Sequence, residues 1–248
     1  ALDASTVGVE NVAVGAGALS TCNENDNDGA VALGYKAGFN QASTGRAQYA
    51  ASNVHIGWSA GLTMTTGIGS VHVGHASGYF ETTGTNNTFV GYESGRYVQA
   101  TSNNVFIGNG AGINGETDDA ASNTASNNTA VGSSAMGGES SATAAHFTAG
   151  YNVAMGRSAL KEATVATYNT AIGTQAGENI VDGTNNVMIG NHTEASATDV
   201  TYEIVIGAGT DHSNAFAGAG TETIKIGRAS DYIVNTFGTG SEVWAHTS

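Results

Sequence analysis

The sequence predicts an all-β protein, a parallel β-roll or β-solenoid of about twelve coils with about 17 residues in each. Three observations support this fold class: a five-residue motif repeats along the chain, its copies are evenly spaced, and the composition favours turns and strands. The 248 residues include 36 Gly and no Pro, and only 11% are charged. Gly, Asn, Thr and Ser have modest or poor helix propensity, and the frequent β-branched residues argue against disorder.

The repeated motif is a pentad: a small polar residue (usually Asn), an apolar residue, a variable residue, a second apolar residue and Gly. Six of the eleven intervals between closing glycines are 17 residues, and none is shorter. A 17-residue coil with occasional insertions therefore explains the whole series. The twelve closing glycines are Gly15, Gly34, Gly57, Gly74, Gly91, Gly108, Gly132, Gly156, Gly173, Gly190, Gly207 and Gly227.

Each pentad predicts a short strand, because its two apolar residues alternate with other residues and so share one face. The closing Gly predicts a turn with positive φ. A second turn follows ten residues later, at Thr66-Gly67 and Thr83-Gly84 in two of the regular coils. One coil is therefore predicted to contain a strand, a tight turn, a short second strand and another tight turn.

Stacking of successive coils predicts a parallel sheet with about 4.8 Å between strands, along which the pentad Asn residues form an amide ladder. We expect the apolar Val and Ile residues to face inward in a coil too narrow to bury them fully. The sequence therefore predicts an intertwined or side-by-side homotrimer, in which partner chains complete the core.

The repeats "NNTFVGYESG" (86–95), "NNTAVGSSAM" (127–136) and "NTAIGTQAG" (169–177) resemble the β-roll of trimeric autotransporter adhesin heads. They resemble more closely the repeats of bacteriophage tail fibres that precede an endosialidase-type intramolecular chaperone. The resemblance spans roughly residues 8 to 230 and extends over most of the chain. It implies a homotrimeric tail-fibre segment of a virion that attaches to a host glycan or outer-membrane protein and joins other tail-fibre proteins.

Other functions stay open at this point. The alternatives are the head of a bacterial trimeric adhesin, a monomeric ice- or surface-binding solenoid, and a polysaccharide-cleaving fibre. We expect no enzyme activity in the chain, because no catalytic residue set stands out. The net charge of -14 disfavours nucleic acid and anionic lipid as partners, and no apolar run approaches the length of a membrane span.

The chain divides into a repetitive shaft or head over residues 1–227 and a predicted cap or tip over residues 228–248. The cap carries Tyr232, Phe237 and Trp244, which are candidates for receptor contact. Ser248 resembles the upstream half of a chaperone cleavage junction, which implies that the precursor cut itself there. Ser248 as a simple chain end is the equally open alternative.

The variable third position of the pentad brings His55, His72, Phe89 and Phe106 into one column. The functional interpretation is an aromatic strip for sugar rings, or a site where histidines from three chains converge on a metal with the help of His75. The favoured interpretation is structural: an aromatic ladder that packs against a neighbouring chain or an insertion.

Two further groups of residues are candidates for binding. Glu24, Asp26 and Asp28 precede a Gly as in a calcium loop, although Tyr35 stands where a bidentate Glu is expected. We therefore expect no required cofactor, with calcium or a His-bound metal as the minor alternative. The insertions in the longer coils carry aromatic residues suited to sugar or chain contacts. These receptor candidates are Tyr49, His146, Phe147 and Tyr151.

Overall fold

The computed structural model describes residues 10–21, 29–41, 52–113, 123–138, 148–228, 230–236 and 245–247. These residues form an all-β structure, a parallel β-solenoid of about ten turns, and a 3-10 turn at His212–Asn214 is the one helical element among them. The strands are β1 Val12–Val14, β2 Val31–Leu33, β3 Val54–Ile56, β4 Val71–Val73, β5 Thr88–Val90, β6 Val105–Ile107, β7 Thr129–Val131, β8 Val153–Met155, β9 Thr170–Ile172, β10 Val187–Ile189, β11 Thr193–Glu194, β12 Ile204–Ala208, β13 Phe216–Ala217, β14 Thr223–Arg228, β15 Asp231–Thr236 and β16 Ala245–Thr247.

The pentads form the main sheet, as the alternation predicts. Strands β1 to β10, then β12 and β14, pair in parallel order, so that equivalent pentad residues lie side by side. His55 thus lies beside His72, and His72 beside Phe89. The predicted second strand is reduced to single parallel bridges, such as Thr167 with Thr184, because turns on both sides leave little extended chain.

Eleven of the twelve closing glycines have the predicted positive φ, with values such as 134° at Gly57 and 136° at Gly74, and Gly207 does not. A Cβ at Gly57 would collide with the carbonyl oxygen of Gly74 in the next coil. Glycine is therefore required here both by backbone conformation and by the close stacking of coils.

The predicted inward face of the pentad is wrong. The third residue faces the interior, and the flanking Val, Ile and Thr residues face outward and remain partly exposed. Phe89 and Phe106 are fully buried, whereas Ile107 is 39% exposed. A 17-residue coil encloses so little volume that one side chain per strand fills it, and the two flanking residues point away from it.

The interior is filled by residues six positions apart in the chain. In four coils, which we call strand-filled, the third pentad residue is large and the residue six positions later is Gly; these third residues are His55, His72, Phe89 and Phe106. In three coils, which we call turn-filled, the third pentad residue is Ala and the residue six positions later is large and buried; these large residues are Leu19, Met136 and Leu160. A Cβ at Gly95 would lie 2.6 Å from the Phe89 ring, so the two positions compete for one space.

The pentad Asn residues form the predicted amide ladder inside the solenoid. In each step, the Oδ1 of one Asn accepts from the backbone N–H and the Nδ2 of the next, as Asn152 does from Asn169 at 2.9 and 3.1 Å. Each Nδ2 also donates to a backbone carbonyl of the same coil, such as that of Ala166 at 2.8 Å. The ladder therefore satisfies buried polar groups that would otherwise be costly.

The last described residues extend the same sheet with a different topology. Strand β15 pairs antiparallel with β14, and β16 pairs antiparallel with β15. The parallel stacking of pentads therefore ends at β14, close to the predicted boundary at residue 227.

Candidate functional site

The column of His55, His72, Phe89 and Phe106 is a ladder in the core. Its rings are spaced by 5.0, 5.3 and 5.1 Å between centroids, and the last three are nearly parallel. All four residues are fully buried. The column lies on the inward face of the strands, so it is a structural ladder, as favoured, and the alternative of a surface strip for sugars does not hold.

A chain of buried hydrogen bonds runs through the two histidines. Nε2 of His55 lies 2.9 Å from Oε1 of Gln41, and Nδ1 of His55 lies 3.1 Å from Nδ1 of His72. Nε2 of His72 lies 2.6 Å from Oε2 of Glu81, whose other oxygen accepts from Asn87. All five side chains are fully buried. Asn87 is also the first rung of the amide ladder to Asn104, so buried polar contacts continue into the next coils.

The protonation of this chain follows from its contacts. Burial, together with the neighbouring His72, lowers the pKa of His55 well below its usual value and keeps this ring neutral. With the Gln41 oxygen as acceptor, Nε2 of neutral His55 donates and its Nδ1 accepts. His72 then donates from Nδ1 to His55, and its Nε2 pairs with the Glu81 carboxyl group.

The predicted metal site at His55, His72 and His75 is not assembled. His75 is exposed and stacks between Trp58 and Tyr92, with ring centroids 4.7 and 5.0 Å away, while the other two histidines face the interior. The part of the chain that the structure describes contains no group of three or more His, Cys, Asp or Glu residues that could hold a metal ion.

The stack around His75 is an exposed feature that the pentad pattern did not reveal. It comprises the residues directly after the closing glycines of four successive coils, Tyr35, Trp58, His75 and Tyr92. Because the rings cover each other's faces, mainly their edges reach solvent. Its signal in the sequence was the recurrence of rings at one fixed position beside the pentad.

The outward face of the pentad strands is an apolar surface whose residues are partly exposed. We call it the pentad face and define it by the second and fourth residues of each pentad. Ile107, Met155 and Ile172 on this face are 39%, 44% and 39% exposed. It runs along the sheet from β1 to β14, and no other part of the described chain covers it.

Tyr151 is exposed, as expected for a receptor candidate, and lies just before the Asn of its pentad. It stacks on Tyr168 with ring centroids 4.9 Å apart, and Tyr202 occupies the equivalent position two coils after Tyr168. Tyr168 and Tyr202 were missed because receptor candidates were sought only in the insertions and the C-terminal cap. Aligning the residue before each pentad finds them.

Tyr232 is half-buried and packs against the core rather than standing free. Its ring meets Phe216 edge-on, and the Lys225 ammonium lies 4.0 Å from its centroid. Burial lowers the pKa of Lys225, and the Glu203 carboxylate opposes this shift. Lys225 is the third residue of the last pentad, so a charged, half-buried side chain closes the ladder of core residues at this end.

The remaining candidates lie outside the described residues. They are Glu24, Asp26, Asp28, Tyr49, His146, Phe147, Phe237, Trp244 and Ser248. Among the residues that are described, no helix has the length and hydrophobicity needed to cross a membrane.

Comparison with known proteins gives no assignment: no family model, no curated protein and no solved structure matches the chain. Function is therefore inferred from the surface of the solenoid.

Proposed function

We propose that the chain is a structural and receptor-binding segment of a homotrimeric viral tail fibre, exposed outside the cell and used for attachment to a host surface. The observation that carries this proposal is the pentad face, an uncovered apolar strip that follows the sheet along the solenoid. Contiguous apolar surface of this extent marks an interaction site on a soluble protein.

A copy of the same chain is the partner that fits this strip. The apolar residues recur once per coil, at a strand spacing of about 4.8 Å. A second chain with the same repeat matches every step of the strip, whereas an unrelated globular surface matches only a few. Three such strips around one axis bury one another, which also accounts for the partial exposure of Ile and Val in the single chain.

The proposal is tested by the native mass of the purified chain, measured by sedimentation equilibrium. A trimer has three times the chain mass of 24.8 kDa. Ile172→Glu places a charge on the pentad face and is expected to dissociate the trimer, since an unpaired charge in an apolar interface is costly. Asp182→Lys is the matched control on an exposed turn and is expected to leave the mass unchanged.

Attachment is tested separately, by the retention of the labelled trimer on bacterial cells and on purified outer membranes. Weak single sites gain from three copies, so the trimer should be retained more strongly than the Ile172→Glu chain. A wild-type chain that sediments as a monomer would contradict the fibre and favour the surface-binding solenoid.

A further inference from the structure

The residues that precede the pentad Asn form a column with an unusual backbone. Each has a φ in the left-handed region. Asn tolerates this conformation and occupies the position in three coils, at Asn86, Asn103 and Asn127. Tyr151, Tyr168 and Tyr202 have the same conformation, with φ values of 60°, 59° and 55°. We call these positions the tyrosine column.

These tyrosines do not fill the core, and Tyr151 and Tyr168 pack against each other on the surface. They are 55%, 55% and 58% exposed, unlike Leu160 and Met136, which also have positive φ but fill the core. A bulky residue in the left-handed region is strained. The left-handed backbone recurs at this position along the solenoid, and what distinguishes these three coils is an exposed aromatic ring.

The column has a gap. Tyr151 and Tyr168 are successive rungs with parallel rings 4.9 Å apart, but the next rung is Asn185 and the one after it is Tyr202. Parallel bridges from Thr167 to Thr184 and from Thr184 to Thr201 keep these coils in register. Tyr168 and Tyr202 therefore stand two rungs apart, at about 10 Å for two strand spacings.

We propose that the gap above Asn185, between Tyr168 and Tyr202, binds one neutral hexopyranose ring of a host-surface glycan. This inference rests on the proposed attachment function and names a site for it. Favourable carbon contacts lie at about 3.5–4.0 Å, so one ring between two others needs about 7–8 Å. The gap of about 10 Å thus admits one ring and excludes two.

The side chain at the base of the gap and the acidic residues near it favour a neutral sugar as the ligand. The Asn185 side chain is exposed and makes no hydrogen bond within the described chain, so its amide offers both a donor and an acceptor. A sugar combines apolar ring faces for the tyrosines with hydroxyls for this amide. Exposed Asp182 and Asp199 lie three residues before Asn185 and Tyr202 and repel acidic sugars.

The test is saturation-transfer NMR on the full chain with methyl glycosides of glucose, galactose, mannose and N-acetylglucosamine. At least one is expected to bind, with a Kd on the order of 1 mM for a single ring. Asn185→Tyr fills the gap with the next rung of the ladder and is expected to abolish binding. Tyr202→Asn removes one wall and is expected to weaken binding at least tenfold.

Both variants use residues that the column holds elsewhere in the same conformation, so the fold is expected to survive, as circular dichroism will check. Tyr92→Asn, which removes an exposed ring outside the column, is expected to change the Kd less than twofold. Absence of binding to all four glycosides, or binding that persists in Asn185→Tyr, would overturn the site.

The native mass of the chain shows whether a negative result contradicts the sugar site or the proposed trimeric fibre. A trimer that binds no hexose overturns the site alone. A monomer that binds hexose and loses it in Asn185→Tyr supports the site and overturns the fibre.

Discussion

The strand-filled coils and the turn-filled coils have the same strands and share the Asn ladder, but they fill the interior from opposite sides. Around Phe89 the ring comes from the strand and the turn contributes Gly95; around Ala154 the strand contributes a methyl group and the turn contributes Leu160. The volume inside a coil is therefore conserved by a pair of residues six positions apart, not by either residue alone.

Another coil shows how neighbours share this volume. Ala171 is followed by Gly177, so neither position is large, and a Cβ at Gly177 would lie 3.2 Å from both Leu160 and Met188 of the adjacent coils. A large residue in one coil therefore extends into the space of a small pair in the next. Close packing is satisfied along the stack as well as within a coil.

The largest expected effect comes from emptying a strand-filled coil. Phe106→Ala removes a fully buried ring opposite Gly112 and should lower the free energy of unfolding by about 3–5 kcal/mol, through lost burial and the cavity left behind. The change is measured by urea unfolding of the purified chain.

The double variant Phe106→Ala with Gly112→Leu tests the comparison directly, because it converts a strand-filled coil into a turn-filled one. It should recover much of the lost stability, with a remaining cost of about 1 kcal/mol for Leu in the left-handed region. If the double variant is no more stable than Phe106→Ala, the two positions do not share one space.

Breaking the buried polar chain should have the next largest effect. His72→Phe continues the ring ladder but leaves the buried Glu81 carboxyl group without its imidazole partner, and should cost about 3 kcal/mol in the same assay.

The matched variant replaces the chain as a unit, with His55→Phe, His72→Phe and Glu81→Met. Met64 occupies the position of Glu81 one coil earlier and is fully buried there, so the replacement fits the existing pattern. We expect the triple variant to be more stable than His72→Phe by about 2 kcal/mol. Equal destabilisation of both would show that ring size, not the unpaired carboxyl group, sets the cost.

The Asn ladder should respond equally in both kinds of coil. Asn104→Ala in a strand-filled coil and Asn152→Ala in a turn-filled coil each remove hydrogen bonds to a backbone carbonyl and to the next Asn. Each should cost about 2 kcal/mol in urea unfolding, since buried polar partners are left unsatisfied. A difference above about 1 kcal/mol would mean that core filling and the ladder are coupled.

Sequence reasoning predicted the strands, their register, the positive φ of glycines such as Gly74, and the amide ladder, because each depends on local spacing. It assigned the wrong face of the pentad to the core, because consistent hydrophobicity was taken as the sign of burial. In a coil this narrow, the buried position is instead the one whose large side chain is matched by a small residue six positions later. His72 is matched in this way by Gly78.

The candidate site was predicted less well. The pairing of Glu81 with His72 joins residues nine apart, and the sequence offered no reason to connect them before the coil was closed. The tyrosine column was detectable in principle, since Tyr151, Tyr168 and Tyr202 precede equivalent pentads. The gap at Asn185 follows only once the coils are known to stack in register.

The smallest expected effect is the pH dependence that His55 gives the strand-filled region. Burial beside His72 lowers the pKa of His55 in the folded chain below its unfolded value of 6.5, so the unfolded chain binds the extra proton first. Stability should therefore hold above pH 7 and decrease as pH falls below about 6.5, by at most about 1.4 kcal/mol per pH unit.

Urea unfolding between pH 8 and pH 5 measures this dependence, with His55→Phe as the comparison chain. The groups facing His55 are Gln41 and His72, with Glu81 beyond them, and all are retained in the variant. Carboxylates elsewhere titrate in both chains, so the difference between the two curves isolates His55. A difference that stays constant over this range would mean that His55 takes up its proton without leaving the folded core, and that the polar chain is less rigid than its contacts indicate.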